Sequence, residues 1–183
     1  MLLKQPAMFI PEITKLPVFG DPSQKVDLEF PKLEDLVKFP HGKVIKLRGI
    51  CWRNGHALMA LGLKFTNDVE SPLFQKDEVA KLPKLGEYAV KEAEVDPQKK
   101  ISKISVKTGK SNTICALRLQ DAEDQMILDV EWLSNSKAEW VTHRVDDSQE
   151  LIGLYMSKQG HNDFIQSLGF VVWKNRLLSL IHI

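Results

Sequence analysis

Chemistry at neutral pH usually starts from histidine, cysteine or paired carboxylates, and this chain disperses all three. His41, His56, His143, His161 and His182 stand singly. None falls in the H-E-x-x-H spacing that sets two imidazoles on one helix face for zinc. The sequence has no G-x-S-x-G elbow, no P-loop and no G-x-G-x-x-G turn. Cys51 and Cys115 have no C-x-x-C partner and read as reduced thiols in or near a core. The turn Asp121-Ala122-Glu123-Asp124 has the hard oxygens calcium takes, yet it lacks a full loop of ligands and reads as a solvated hairpin tip. No catalytic residue, metal or cofactor is therefore expected. His56 and His161 lie beside Gly55 and Gly160 in equivalent turns, at one end of the molecule, and read as exposed turn residues. Trp52, Trp132, Trp140 and Trp173 are stacking platforms if exposed and core if not; full or partial burial is expected for at least two.

The elements that must position any site repeat along the chain. Ile165-Gln166-Ser167-Leu168-Gly169-Phe170 recurs in degenerate form as Leu58-Met59-Ala60-Leu61-Gly62-Leu63 and as Ile114-Cys115-Ala116-Leu117-Arg118-Leu119. Each copy follows an isoleucine thirteen residues earlier, at Ile45, Ile101 and Ile152, with Gly55, Gly109 or Gly160 in the intervening turn. Leu61, Leu63 and Phe65, then Leu117 and Leu119, then Leu168, Phe170 and Val172 alternate with smaller or more polar residues, the period of a half-buried strand. A hairpin with one apolar face is marginal alone, because it has nothing to bury that face against. Three copies predict an all-β fold of three small antiparallel sheets, each one wall of a shared core.

At 183 residues the chain fits one domain. With 27% charged and 43% hydrophobic residues its composition is that of an ordinary globular protein. A formal net charge of +1 argues against a dedicated nucleic-acid binder, which carries a basic excess or stripe. Lys99, Lys100, Lys103, Lys107 and Lys110 cluster in the second repeat, where Ile101, Ile104 and Val106 turn inward and lysines on the other face guard an edge from pairing. The opening MLLKQPAMFIPEI lacks an apolar run of signal-peptide or membrane-span length, and no N-x-S/T acceptor occurs. A cytoplasmic or other intracellular location is the expectation.

In order, residues 1–15 read as an N-terminal extension, since Pro6 and Pro11 forbid a helix and the apolar residues do not alternate. The domain is expected over 16–177. It opens with Leu16-Pro17-Val18-Phe19-Gly20, a turn at Asp21-Pro22-Ser23, and Val26 to Phe30, read together as a first hairpin. Lys32 to Phe39 reads as a short helix or structured loop. Pro72 sets Glu70 to Phe74 at an edge or bulge. Further strands are expected at Glu87 to Val90, Ala93 to Val95, Met126 to Leu128 and Trp140 to Val145. Residues 178–183 close the chain as an apolar tail.

Three stretches resemble the jacalin-related lectins, over roughly Leu16 to Lys174. They are Leu16-Pro-Val-Phe-Gly with the arm Val26 to Phe30; Leu61-Gly-Leu-Lys-Phe-Thr-Asn followed by Glu70-Ser-Pro-Leu-Phe; and Ile152-Gly-Leu-Tyr with Ile165-Gln-Ser-Leu-Gly-Phe. The resemblance implies a β-prism I fold, three Greek-key-like antiparallel sheets with pseudo-three-fold repetition. It also implies a ligand site in the last hairpin, at Gly160, His161, Asn162, Asp163 and Gln166, with Gly20 from the opening strand. Sugar-binding members carry G-x-x-x-D there, whose Asp accepts hydrogen bonds from two sugar hydroxyls. Here Asn162 stands at the Gly position and Gln166 at the Asp position, with Met59 and Cys115 at the corresponding places of the other repeats. Asp163 is the nearest carboxylate in sequence. An ionised acceptor bonds roughly twice as strongly as a neutral one, and Gln keeps a single carbonyl acceptor.

Two functions follow. The main expectation is a non-catalytic interaction module, a structural subunit with a protein partner, because the Asp is missing and the apolar segments Met8 to Ile10 and Leu177 to Ile183 need cover. The alternative is a carbohydrate-binding lectin using Asn162, Asp163 and Gln166 with loop amides.

Overall fold

The computed structural model describes residues 8–24, 26–32, 34–35, 42–52, 58–74, 88–109, 112–132, 138–157 and 165–178. Their strands are β1 (Met8–Lys15), β2 (Phe19–Gly20), β3 (Val26–Phe30), β4 (Val44–Trp52), β5 (Leu58–Phe65), β6 (Tyr88–Glu94), β7 (Lys103–Thr108), β8 (Ile114–Gln120), β9 (Met126–Glu131), β10 (Trp140–Arg144), β11 (Glu150–Ser157) and β12 (Ser167–Leu178). They form three antiparallel sheets, ordered β1-β12-β11-β3 with β2 also on β12, then β10-β7-β8-β9, then β5-β4-β6. This is the all-β prism that the repeated hairpins predict.

Each sheet is built on one of the three hairpins, β11–β12, β7–β8 and β4–β5. A flanking strand pairs with the first arm, β3, β10 or β6 respectively. The second arm is flanked by β1 with β2, by β9, or by the single bridge from Lys64 to Glu70. In the second and third sheets the chain makes both hairpin arms before their flanks. In the first sheet the flanks come from the N-terminus and the hairpin from the C-terminus, a permuted Greek key that closes the prism.

The alternation explains why these segments are strands and which face each buries. Leu47, Leu61 and Leu63, then Ile104, Val106, Leu117 and Leu119, then Leu154, Met156, Leu168 and Phe170 join one cluster on the axis. Burying a side chain of this size is worth roughly 1.5–3 kcal/mol. The first sheet also has an apolar outer face, where Ile152, Tyr155 and Val171 pack with Ile13, Val18 and Trp173.

Several expectations are corrected. The evenly spaced isoleucines are not equivalent. Ile45 and Ile152 sit at register shifts of their hairpins, whereas Ile101 precedes β7 and faces the axis with Val44 and Leu151. Equal spacing hid a bulge of one residue. The expected first hairpin is not one: β2 pairs with β12 and β3 with β11, so the turn at Asp21-Pro22-Ser23 carries the chain across the end of the sheet. Residues 8–15 are not an irregular extension, because β1 pairs along its whole length with β12, Met8 opposite Leu178 and Lys15 opposite Val171. Pro11 is tolerated there because β1 is an edge strand, where a missing N–H can face away from the ladder. The start of the apolar tail, Leu178, is likewise strand. Past Pro72 the chain makes a short 3₁₀ turn, Pro72–Phe74, beside β5.

Candidate functional site

β11 ends at Ser157 and β12 begins at Ser167, at the end of the first sheet where the last hairpin turns. Gly160, His161, Asn162 and Asp163 lie outside the described residues, as do His41, His56 and His182. Gly20 and Gln166, the two remaining predicted site residues, are brought together. Gly20 pairs with Ser167, and the Asp21 N–H donates to the Gln166 carbonyl at 2.8 Å. Gly20 has φ of 91°, the left-handed region that glycine enters without a Cβ penalty. A Cβ at Gly20 would overlap the Gln166 carbonyl and lie 3.1 Å from the Asn112 carbonyl. Asn112, exposed and itself at φ 59°, comes from the turn of the second repeat. Three segments far apart in sequence thus meet at one end.

Two buried serines hold this junction. The Ser157 hydroxyl accepts the N–H groups of Gln166, at 3.2 Å, and Ser167, at 3.1 Å. The Ser167 hydroxyl donates to the Asp21 carbonyl, and both serines are essentially inaccessible. Asp21 is therefore tied through its N–H and its carbonyl to the start of β12. Its carboxylate faces solvent, with Oδ1 accepting the Ser23 N–H at 2.9 Å and the Ser23 hydroxyl at 2.7 Å. Oδ2 accepts the Gln24 side-chain amide at 3.3 Å. The Ser23 hydroxyl, the Ser23 N–H and the Gln24 amide, in that order, hold its pKa below the ordinary 3.8. Asp21, Asn112, Ser157 and Ser167 are the residues that reading the sequence missed. Asp-Pro-Ser announced a turn, but nothing local placed that turn against Gln166.

Elsewhere among the described residues most chemistry-bearing side chains pack or pair within the fold, although the buried His143 Nε2 has no hydrogen-bond partner. His143 stacks on Phe19, ring centres 4.2 Å apart. Asp121 accepts the N–H groups of Glu123 and Gln125, and Asp124 is paired with Lys103, so the acidic turn is folded onto its own amides and a lysine. Lys100 reaches Glu150 at 3.7 Å. Burial pushes the thiols of Cys51 and Cys115 up, keeping them protonated at neutral pH. Trp132 is buried, Trp140 and Trp173 are half-buried, and the Arg118 guanidinium stands 4.0 Å over the Trp140 ring. Among the described residues no three His, Cys, Asp or Glu side chains gather as metal ligands. A mostly apolar cleft of about 810 Å³ opens on a flank between β3 and β5, with Phe30, Phe65 and Leu73 in its wall and Glu34 and Asp35 at its rim. No helix of the described residues is long and apolar enough to cross a membrane.

No protein-family model matches the chain, and no curated protein sequence matches it. Solved structures do. PirB is 15% identical with a TM-score of 0.55; the match covers 92% of this chain and 39% of PirB, so the chain spans well under half of that protein. AcmJRL, a mannose-binding jacalin-related lectin from Ananas comosus, is 11% identical over 87% of this chain and 96% of its own, with a TM-score of 0.53. The second β-prism domain of RbmC from V. cholerae, solved with N-acetylglucosaminyl-β-1,2-mannose, is 15% identical over 86% of this chain and 98% of its own, with a TM-score of 0.50. At these identities the likeness establishes the fold, a divergent jacalin-like β-prism.

Proposed function

We propose that this chain is a carbohydrate-binding module that works by binding and not by turnover, its site at the end of the first sheet. The observation that carries the reading is the junction itself. Gly20, Asp21, Asn112 and Gln166, from three separate segments, converge beside the last hairpin, and the junction mixes polar backbone with a solvent-facing carboxylate. Such a surface offers directed donors and acceptors, which hydroxyl-rich ligands need. The solved β-prisms it resembles include a mannose-binding lectin and a domain holding a mannose-containing disaccharide. Gly160, His161, Asn162 and Asp163 complete the proposed site. The reading of a structural subunit with a protein partner rested on the missing Asp, with Gln166 in its place, and on two apolar ends in need of cover. Where described, those ends are strand partners of each other, Phe9 opposite Leu177 and Met8 opposite Leu178.

The test is isothermal titration of the purified chain with methyl α-mannoside and with N-acetylglucosaminyl-β-1,2-mannose, followed by a glycan array. Saturable binding weakened by Gln166→Ala is the expected result. No binding to any glycan at millimolar concentration would reject the reading and return attention to a protein partner.

A further inference from the structure

Resting on the carbohydrate reading, we infer that the Asp21 carboxylate, through Oδ2, is the charged acceptor of the site and that its ligand is a neutral saccharide presenting adjacent hydroxyls. Sugar hydroxyls are weak donors unless they meet an ionised oxygen, whose hydrogen bonds are roughly twice as strong as neutral ones. Of the six described residues that meet at this end, Gly20, Asp21, Asn112, Ser157, Gln166 and Ser167, Asp21 alone has a carboxylate. Gln166 presents an amide.

Asp21 is held where such an acceptor must stand. Its N–H is bonded to the Gln166 carbonyl at 2.8 Å and its own carbonyl receives the buried Ser167 hydroxyl, so its position relative to Gln166 is set from both sides of the residue. The carboxylate also has capacity to spare. An ionised carboxyl has about four acceptor positions. Oδ1 takes two short bonds from Ser23, which orient the group, while among the described residues Oδ2 takes only the long 3.3 Å contact from the Gln24 amide. A sugar hydroxyl replacing or joining that amide meets an acceptor already in place and already charged. A fixed negative charge in the site also disfavours uronic and sialic acids, which limits the ligand class to neutral sugars.

The experiment titrates full-length wild type, Asp21→Asn, Ser23→Ala and Gln166→Ala with methyl α-mannoside and N-acetylglucosaminyl-β-1,2-mannose, with thermal unfolding of each variant as a control for folding. Asp21→Asn keeps an amide oxygen for Ser23 and removes the charge. It is expected to weaken binding by about tenfold or more, the size of a lost charged hydrogen bond. Ser23→Ala loosens the turn but keeps the carboxylate, and is expected to weaken binding by less than Asp21→Asn. Wild-type binding that survives intact in a folded Asp21→Asn overturns the assignment and leaves the carbohydrate reading standing. Loss as large in Ser23→Ala as in Asp21→Asn overturns it too, since turn geometry would then be the cause. Wild type that binds neither these two sugars nor any glycan of the array rejects the carbohydrate reading itself, and the assignment with it.

Discussion

Two glycines in this prism each admit a close neighbour, and they do it for different reasons. Gly49 on β4 lies under the buried indole of Trp132, which comes from the residue after β9, so a Cβ there would overlap the ring. Gly20 lies under a backbone carbonyl in a left-handed conformation. The first glycine closes a seam between two sheets by side-chain shape, and Lys91 reinforces that seam by donating to the Glu131 carbonyl at 2.8 Å. The second lets two backbones cross and be sewn together by hydroxyls and amides. Shape closure holds the molecule together; the sewn crossing exposes a polar end. The comparison separates the part of the prism that serves stability from the part to which we assign binding.

The largest effect should come from emptying the seam. Trp132→Ala is expected to cost about 3–5 kcal/mol in urea unfolding, as for other large-to-small core changes, with sugar affinity of the folded fraction unchanged. Adding Gly49→Ala to that variant should cost little more, because the atom it would have struck is gone; strict additivity would break the account of the seam. Gly20→Ala should be the next largest, about 1–3 kcal/mol from the unfavourable φ and the blocked carbonyl. Unlike the seam variants it should remove sugar binding from protein that is still folded, as followed by circular dichroism and titration together. Ser167→Ala should cost about 1–2 kcal/mol, a lost bond to a buried carbonyl, and weaken binding by freeing the Asp21 turn. Smallest is acid. Because the Asp21 pKa is lowered in the folded protein, its contribution is present in full above about pH 3.8 and is lost as pH falls through the lower folded value. Sugar affinity should therefore hold between pH 7 and pH 5. A decline centred near pH 6 would point to a histidine and against Asp21.

Legibility in the sequence divides along the same line. Period-two alternation around Leu61, Leu117 and Leu168 identified all three hairpins, and their buried faces are the ones the alternation marks. The even spacing of Ile45, Ile101 and Ile152 misled, since register shifts at Ile45 and Ile152 displace two copies by a residue without disturbing the count. Residues 8–15 were misread because an edge strand with a proline has no strong alternation of its own; its partner, β12, supplies the pattern. At the proposed site, the resemblance to a known family pointed to Gly20 and Gln166, which the fold brings together. Asp21 and Asn112 were not legible, because turn residues carry no mark of what the turn is packed against.

The sequence by itself determined the three apolar-faced hairpins and hence the three-walled core, since alternation and the need to bury one face are properties of short segments. Only the tertiary structure decided that the first strand seals the last and that Asp21 stands beside Gln166. Those contacts join residues as far apart as Met8 and Leu178, and a bond between a serine hydroxyl and a carbonyl 146 positions away leaves no periodic trace in either segment.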